Sequence, residues 1–318
     1  MDKICLLVLF NHRYDKNLPL LDEMYRGRFS HIYYIVPFYD GDRKDVIPVY
    51  GRSVFFEIYI AQAYNMLKDK GFDYYYIVAD DMIINPAINE NSILDFFELE
   101  KGQSWIPHLR RIIDQKSFWL GTLAAYVYKP KQKYVETRGE LPSIKDAVKQ
   151  FEKYGLENPM KLSRKDVFRE FSIRTTYLAD KARLLLRIIS RIKHPFRETA
   201  NLAYPLAASY SDTLLVSGDI MPQFAHYCGV FGATSLFVEV AIPTALVLAS
   251  DKKIKTEKNI SKRGRSYWKT SENVFCDDPT YTWDNLEHEY KNLDDMMARF
   301  PKDAIYLHPV KLSKWMKK

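Results

Sequence analysis

Short continuous apolar runs, broken by polar turns, recur through the first 130 residues. Ile4–Phe10, His31–Phe38 and Tyr74–Ala79 each read as a buried strand. Between the last two, Phe56, Ile60, Ala63, Tyr64 and Leu67 recur at helical spacing within Ser53–Lys70, and Gly71 follows as a stop. Strands alternating with a helix in this way predict a largely parallel sheet with right-handed crossovers. Ligands of such sheets gather at the carboxyl ends of the strands. Here those ends are Phe10-Asn11-His12, Pro37-Phe38-Tyr39-Asp40 and Ala79-Asp80-Asp81, all polar or aromatic.

The pattern changes between residues 131 and 200, which are charged, helical in spacing and poor in strand formers. Arg183, Arg187 and Arg191 fall four apart, so one helical face carries them and the opposite face carries Leu184, Leu185, Ile188, Ile189 and Ile192. From Ser211 the α/β rhythm returns, with a strand at Thr213–Val216, a helix over Ser235–Leu248 and a final strand at Ala304–Leu307. No internal repeat or low-complexity tract interrupts it.

Composition narrows the picture. The 318 residues are 47% hydrophobic and 27% charged, which excludes disorder or a coiled coil as a description of the whole chain. The net charge of +7 is local: residues 131–200 hold 17 basic and 9 acidic side chains, and the remainder is close to neutral. Cys5, Cys228 and Cys276 have no CxxC spacing, so neither a disulfide framework nor a zinc knuckle is expected. The apolar start is too short for a signal peptide, and Thr234–Ala249 is too short to span a bilayer. A cytoplasmic protein is the expectation. The basic amphipathic face fits contact with the inner face of a membrane, or packing on the protein itself.

Three features can carry chemistry. Asp80 and Asp81 directly follow an apolar strand, and adjacent carboxylates are costly there unless a cation neutralises them; a turn with a helix cap is the plainer alternative. His308 ends the last strand, and Lys311 and Lys314 follow three and six residues later, within reach of a diphosphate. Glu239 stands alone in an apolar helix behind Gly229 and Gly232, as a general base or as an ordinary solvent-facing residue.

Together these residues resemble a GT-A glycosyltransferase. The resemblance covers about 1–130 and 205–318, and it implies an α/β, Rossmann-like fold whose mixed, mainly parallel sheet is flanked by helices. Residues 1–130 would bind a nucleotide-sugar, 131–200 would be a basic helical insertion, and 201–318 would supply the acceptor side and a C-terminal metal and diphosphate element. Asp81, helped by Asp80, resembles the DxD motif that holds Mn²⁺ or Mg²⁺ on the diphosphate, although the strict Asp-x-Asp spacing is absent. His308 with Lys311 or Lys314 and Trp315 is similar to the C-terminal His…Lys-Trp element, best known from retaining enzymes.

Glu239 matches the acidic base position of the inverting enzymes, with Val240 in place of the usual Asp. Phe10, Asn11, His12, Phe38, Tyr39, Asp40 and Arg52 would line the nucleoside pocket, with UDP the expected nucleotide. Asp219, His226, Gly229 and Gly232 would face a saccharide or lipid-linked saccharide acceptor in polysaccharide synthesis. Inversion with Glu239 as base, retention on the same fold, and a non-catalytic basic protein that binds a membrane or nucleic acid stay open as alternatives. No nucleic-acid-binding motif accompanies the basic run, so no nucleic-acid partner is expected.

Overall fold

The apolar runs fold as strands buried on both faces. In the computed structural model, which describes residues 2–114, 125–126, 128–157, 161–163, 199–267, 286 and 288–315, the chain begins with β1 (Ile4–Leu9), α1 (Leu18–Tyr25), β2 (His31–Pro37) and β3 (Val46–Val49). It continues through α2 (Glu57–Leu67), β4 (Tyr74–Ala79), β5 (Ile83–Ile84), α3 (Ile93–Phe96), β6 (Arg110–Arg111) and α4 (Ile144–Glu152). Next come β7 (Lys161–Ser163), β8 (Thr199–Asn201), β9 (Ala207–Ala208), β10 (Thr213–Ser217) and α5 (Met221–Ala233). The last elements are α6 (Val238–Ala249), β11 (Arg263–Ser266), α7 (Leu293–Ala298), β12 (Ala304–His308) and α8 (Leu312–Trp315).

The central sheet has the order β10-β4-β1-β2-β3, with β1 to β4 parallel and β10 antiparallel beside β4. This is the mixed, mainly parallel α/β architecture that the alternation predicts. Alternate residues of β1 point into two cores. Cys5, Leu7 and Leu9 pack toward α2, α5 and α6, and Ile4, Leu6 and Val8 pack toward α1 and α3. A second, three-stranded sheet, β11-β12-β5, begins two residues beyond Asp81. Among the described residues no helix is long and apolar enough to cross a membrane.

Two stretches differ from the sequence expectation. The acceptor candidates His226, Gly229 and Gly232 lie in helix α5, with Pro222 in its first turn where a missing N–H costs nothing. Its glycines serve packing: a Cβ on Gly229 would sit 3.3 Å from Ala61, and one on Gly232 would sit 2.9 Å from Ile58 Cβ, so they let α5 lie close against α2. The following helix starts at Val238 rather than Ser235, because Ser235 has φ 57° and turns the chain between α5 and α6. The early part of the expected insertion docks on the body. Ala147 and Phe151 of α4 are buried, and Gln150 Nε2 donates to the Val247 carbonyl at 2.8 Å. Arg183, Arg187 and Arg191 lie outside the described residues.

Helix α2 carries an unusual buried acid. Glu57 is fully buried beside Cys228, no other residue among those described hydrogen-bonds its carboxyl oxygens, and burial pushes its pKa well above the ordinary value. The unfolded chain releases this proton near pH 4.5 and the folded chain keeps it, so folding loses stability as pH rises above that point, by about 1.4 kcal/mol per pH unit at most. Glu57→Gln is expected to remove that slope. Urea denaturation of both proteins between pH 5 and 8 checks this: the variant gains on the wild type as pH rises, and parallel curves would show that Glu57 ionises freely in the fold.

Candidate active site

Strand order places the site. The neighbours of β1 are β2 on one side and β4 on the other, so the crossovers leave it in opposite directions and a crevice opens at the carboxyl ends of β1 and β4. Asn11 follows β1 and Asp80 follows β4, and the Asp80 N–H donates to the Leu9 carbonyl at 2.8 Å. The antiparallel β10 starts at this same end, with the Ala79 N–H bonded to the Asp212 carbonyl at 2.8 Å. Strand β12 arrives from the second sheet. It pairs with β5, and beyond its end the Val310 N–H donates to the Asp81 carbonyl at 2.6 Å. Three strands distant in sequence, β4, β10 and β12, therefore set Asp80, Asp81, Asp212 and His308 around one point.

His308 is the hub of the cluster. Its buried imidazole meets Asp81 Oδ1 through Nε2 at 3.0 Å, and Asp212 Oδ2 lies 3.8 Å from the same nitrogen. On the other side of the ring, Nδ1 is hydrogen-bonded to the Tyr210 hydroxyl. That bond fixes the ring orientation and leaves Nε2 facing the carboxylates. Asp80 is buried behind Asp81, where it accepts from the Asn11 N–H and from Asn17 Nδ2 at 3.5 Å.

The charges follow from this crowding. Burial pushes the Asp80 carboxyl well above the usual carboxylate range, and the charge of Asp81 adds to the effect. Asp212 is also raised by burial, with His308 opposing. Burial works against a proton on His308, but Asp81, followed by Asp212 and Asp80, outweighs it and raises the pKa. Three carboxyl groups crowd one imidazole, and the burial that resists ionisation of Asp80 and Asp212 is a cost that a cation among them would relieve.

Such a cluster suits a divalent cation. Two cis ligands of an octahedral ion with bonds of about 2.1 Å lie roughly 3 Å apart, which is the Asp81–His308 separation. Among the described residues no group of three or more His, Cys, Asp or Glu side chains could hold a metal ion. Asp81 and His308 supply two donors, and a Mg²⁺-like ion is commonly held by one or two carboxylates together with water and substrate phosphates.

The remaining candidates spread around this centre. Asn11 is half-buried beside Asp80, and Phe10 is fully buried, edge-on to Tyr34. His12 is exposed against Tyr14, with ring centres 5.7 Å apart. Phe38 is 57% exposed at φ 55° beside Tyr50, Tyr39 is half-buried, and Asp40 is held by Arg13. Arg52 lies over the Phe55 ring at 5.3 Å. All of these sit near the carboxyl ends of β1 to β3.

Lys311 is exposed just past His308, and Lys314 lies in α8. Glu239 is half-buried in the first turn of α6, where its carbonyl accepts from the Ser209 N–H at 3.0 Å, one residue from Tyr210. Among the acceptor candidates, Gly229 and Gly232 pack against α2, and the other two are not brought to the cluster either. Asp219 lies at the opposite end of the sheet because β10 runs antiparallel, and His226 faces Glu140 at 3.2 Å on the outer side of α5. Sequence reasoning missed Asp212, Tyr210 and Asn17. The only signal for Asp212 was its place just before a strand, and the strand's direction is not legible locally.

Comparison with known proteins adds little. No family model matches the chain, and no curated protein matches it. A solved structure of core-mannan synthase A from Aspergillus fumigatus, in its Mn/GDP form, is similar over 81% of this chain and 73% of that one, at 13% identity and a TM-score of 0.34. The functional reading therefore rests on the residues of the site.

Proposed function

We propose that the protein is a metal-assisted glycosyltransferase that moves a sugar from a nucleotide-sugar to a saccharide or lipid-linked saccharide acceptor. The observation that carries this reading is the convergence of Asp80, Asp81, Asp212 and His308 at the switch point of a mainly parallel sheet. Asp81 and His308 would hold Mn²⁺ or Mg²⁺, and Asp212 faces the same point. When bound, the ion offsets the charge that builds on the nucleoside diphosphate as the anomeric bond breaks. Tyr210 keeps the His308 ring turned toward that position, and Asp80, fixed by Asn11 and Asn17, forms the wall behind it.

Residues 1–130 form the donor side in this reading. Asn11, His12, Tyr39 and the exposed Phe38 stand where a nucleoside would lie, and Lys311 stands beside the diphosphate position. Glu239 is the candidate base for an inverting transfer, taking the acceptor hydroxyl proton as the oxygen attacks.

Thermal denaturation with UDP, GDP and other nucleoside diphosphates, with and without Mn²⁺, tests the proposal. A ligand that binds only the folded state raises the melting temperature by mass action. One diphosphate should stabilise the wild type only with metal, and Asp81→Ala should abolish that shift. No shift with any nucleotide at millimolar concentration would overturn the reading.

A further inference from the structure

The outer side of the α2–α5 pair carries a second concavity. It is a groove of about 390 Å³ bounded by α2, α5 and residues 135–140, within the range of roughly 300–1,000 Å³ that small-ligand pockets occupy. Its lining on α2, Ala61, Tyr64 and Asn65, runs from the middle of that helix toward its end. Because α2 runs back against the parallel strands, the groove sits on the flank of the molecule, away from the carboxyl ends that hold Asp81.

Its chemistry excludes most ligand classes. The floor is small and apolar, with Ala61, Ala225 and Gly229 leaving room above the helix crossing, and Tyr64 adds an aromatic wall. Around it stand Asn65, Glu136, Glu140 and His226. Among the described lining residues the carboxylates are Glu136 and Glu140, the latter 3.2 Å from His226, and no lysine or arginine stands with them, so a phosphate or other anion would be repelled. A wholly apolar ligand would strip water from the carboxylates and give nothing back.

A neutral polyhydroxylated ligand meets every part of this surface. Carboxylates accept from paired hydroxyls, the Asn65 amide both donates and accepts, and small residues beside a tyrosine take the C–H faces of sugar rings. We infer that this groove binds a neutral oligosaccharide and holds an acceptor chain at a distance from the reaction centre. The binding is inferred from the groove itself, and the acceptor role rests on the glycosyltransferase reading above.

The test is titration of the whole protein, without metal or nucleotide, with maltotetraose, cellotetraose and mannotetraose, followed by saturation-transfer NMR, with tetragalacturonate as the anionic control. At least one neutral tetrasaccharide should bind in the millimolar range or tighter, and the anionic one should bind at least tenfold more weakly. Asn65→Ala and Glu136→Ala, both exposed positions, should each weaken that binding at least fivefold, and Ala61→Phe should abolish it. Each variant should keep the wild-type thermal shift with Mn²⁺ and nucleotide, which reports both folding and the donor site. Absence of neutral-saccharide binding up to 10 mM, or binding unchanged in all three variants, would overturn the groove assignment. If the Mn²⁺-dependent nucleotide shift persists in that case, the glycosyltransferase reading stands without it.

Discussion

On the proposed glycosyl transfer, Asp81→Asn is expected to lower the rate by at least about a thousandfold, equivalent to roughly 4 kcal/mol of transition-state stabilisation. The substitution preserves the side chain's size and can still accept from His308 Nε2, but it removes the negative charge nearest the imidazole. The loss should appear in turnover at saturating donor and should not be rescued by more metal. Tyr210→Phe makes a graded comparison. It deletes the hydroxyl that holds Nδ1 and leaves both metal-facing donors in place, so it should weaken Mn²⁺ binding by about 10- to 100-fold and recover as Mn²⁺ is raised. Steady-state kinetics over a Mn²⁺ series separates the two behaviours. An Asp81→Asn enzyme within tenfold of wild type would remove that carboxylate from the reaction.

The largest effect on stability is expected at Gly218, just past the end of β10. A Cβ there would lie 2.2 Å from the Phe72 carbonyl oxygen and 3.0 Å from that of Asp73. Both are backbone atoms that cannot swing aside, and the Gly218 N–H is itself bonded to the Asp73 carbonyl at 2.6 Å. Gly218→Ala must therefore push β10 away from the start of β4, at a cost of about 3 kcal/mol or more. Chemical denaturation measures it directly. A loss below about 1 kcal/mol would mean that the turn has a second arrangement available. Because β10 also delivers Asp212 to the other end of the sheet, residual folded protein should bind Mn²⁺ more weakly.

The sequence disclosed the parts of the fold that repeat locally. Continuous apolar runs marked β1, β2 and β4 almost to the residue, since a strand buried on both faces has no polar positions to confuse its limits. The four-residue β3 and the two-residue β5 are too short to leave a pattern. The site was half legible. Asp80, Asp81 and His308 stand at strand ends, and their types point to one chemistry.

Asp212 and Tyr210 were hidden because their importance depends on β10 running antiparallel. The same reversal sends Asp219 to the far end, although it is only seven residues from Asp212 in sequence. The glycines of α5 misled for a related reason: an absent side chain reads the same whether a ligand or a neighbouring helix occupies the space.

The pairing of β5 with β12 has a consequence for how activity arises during synthesis. The partners His308 and Asp81 are 227 positions apart, and the short ladder Tyr306–Ile84 and Leu307–Ile83 is what brings them together. Contacts of such sequence separation form late, after the local ones. A nascent chain can complete β1 to β4 and bury most of that sheet while the cluster still lacks its imidazole. Ribosome-bound or truncated chains ending before residue 304 should thus be folded in part yet lack the complete cluster, and the activity proposed for it should appear in a single step as the last strand docks.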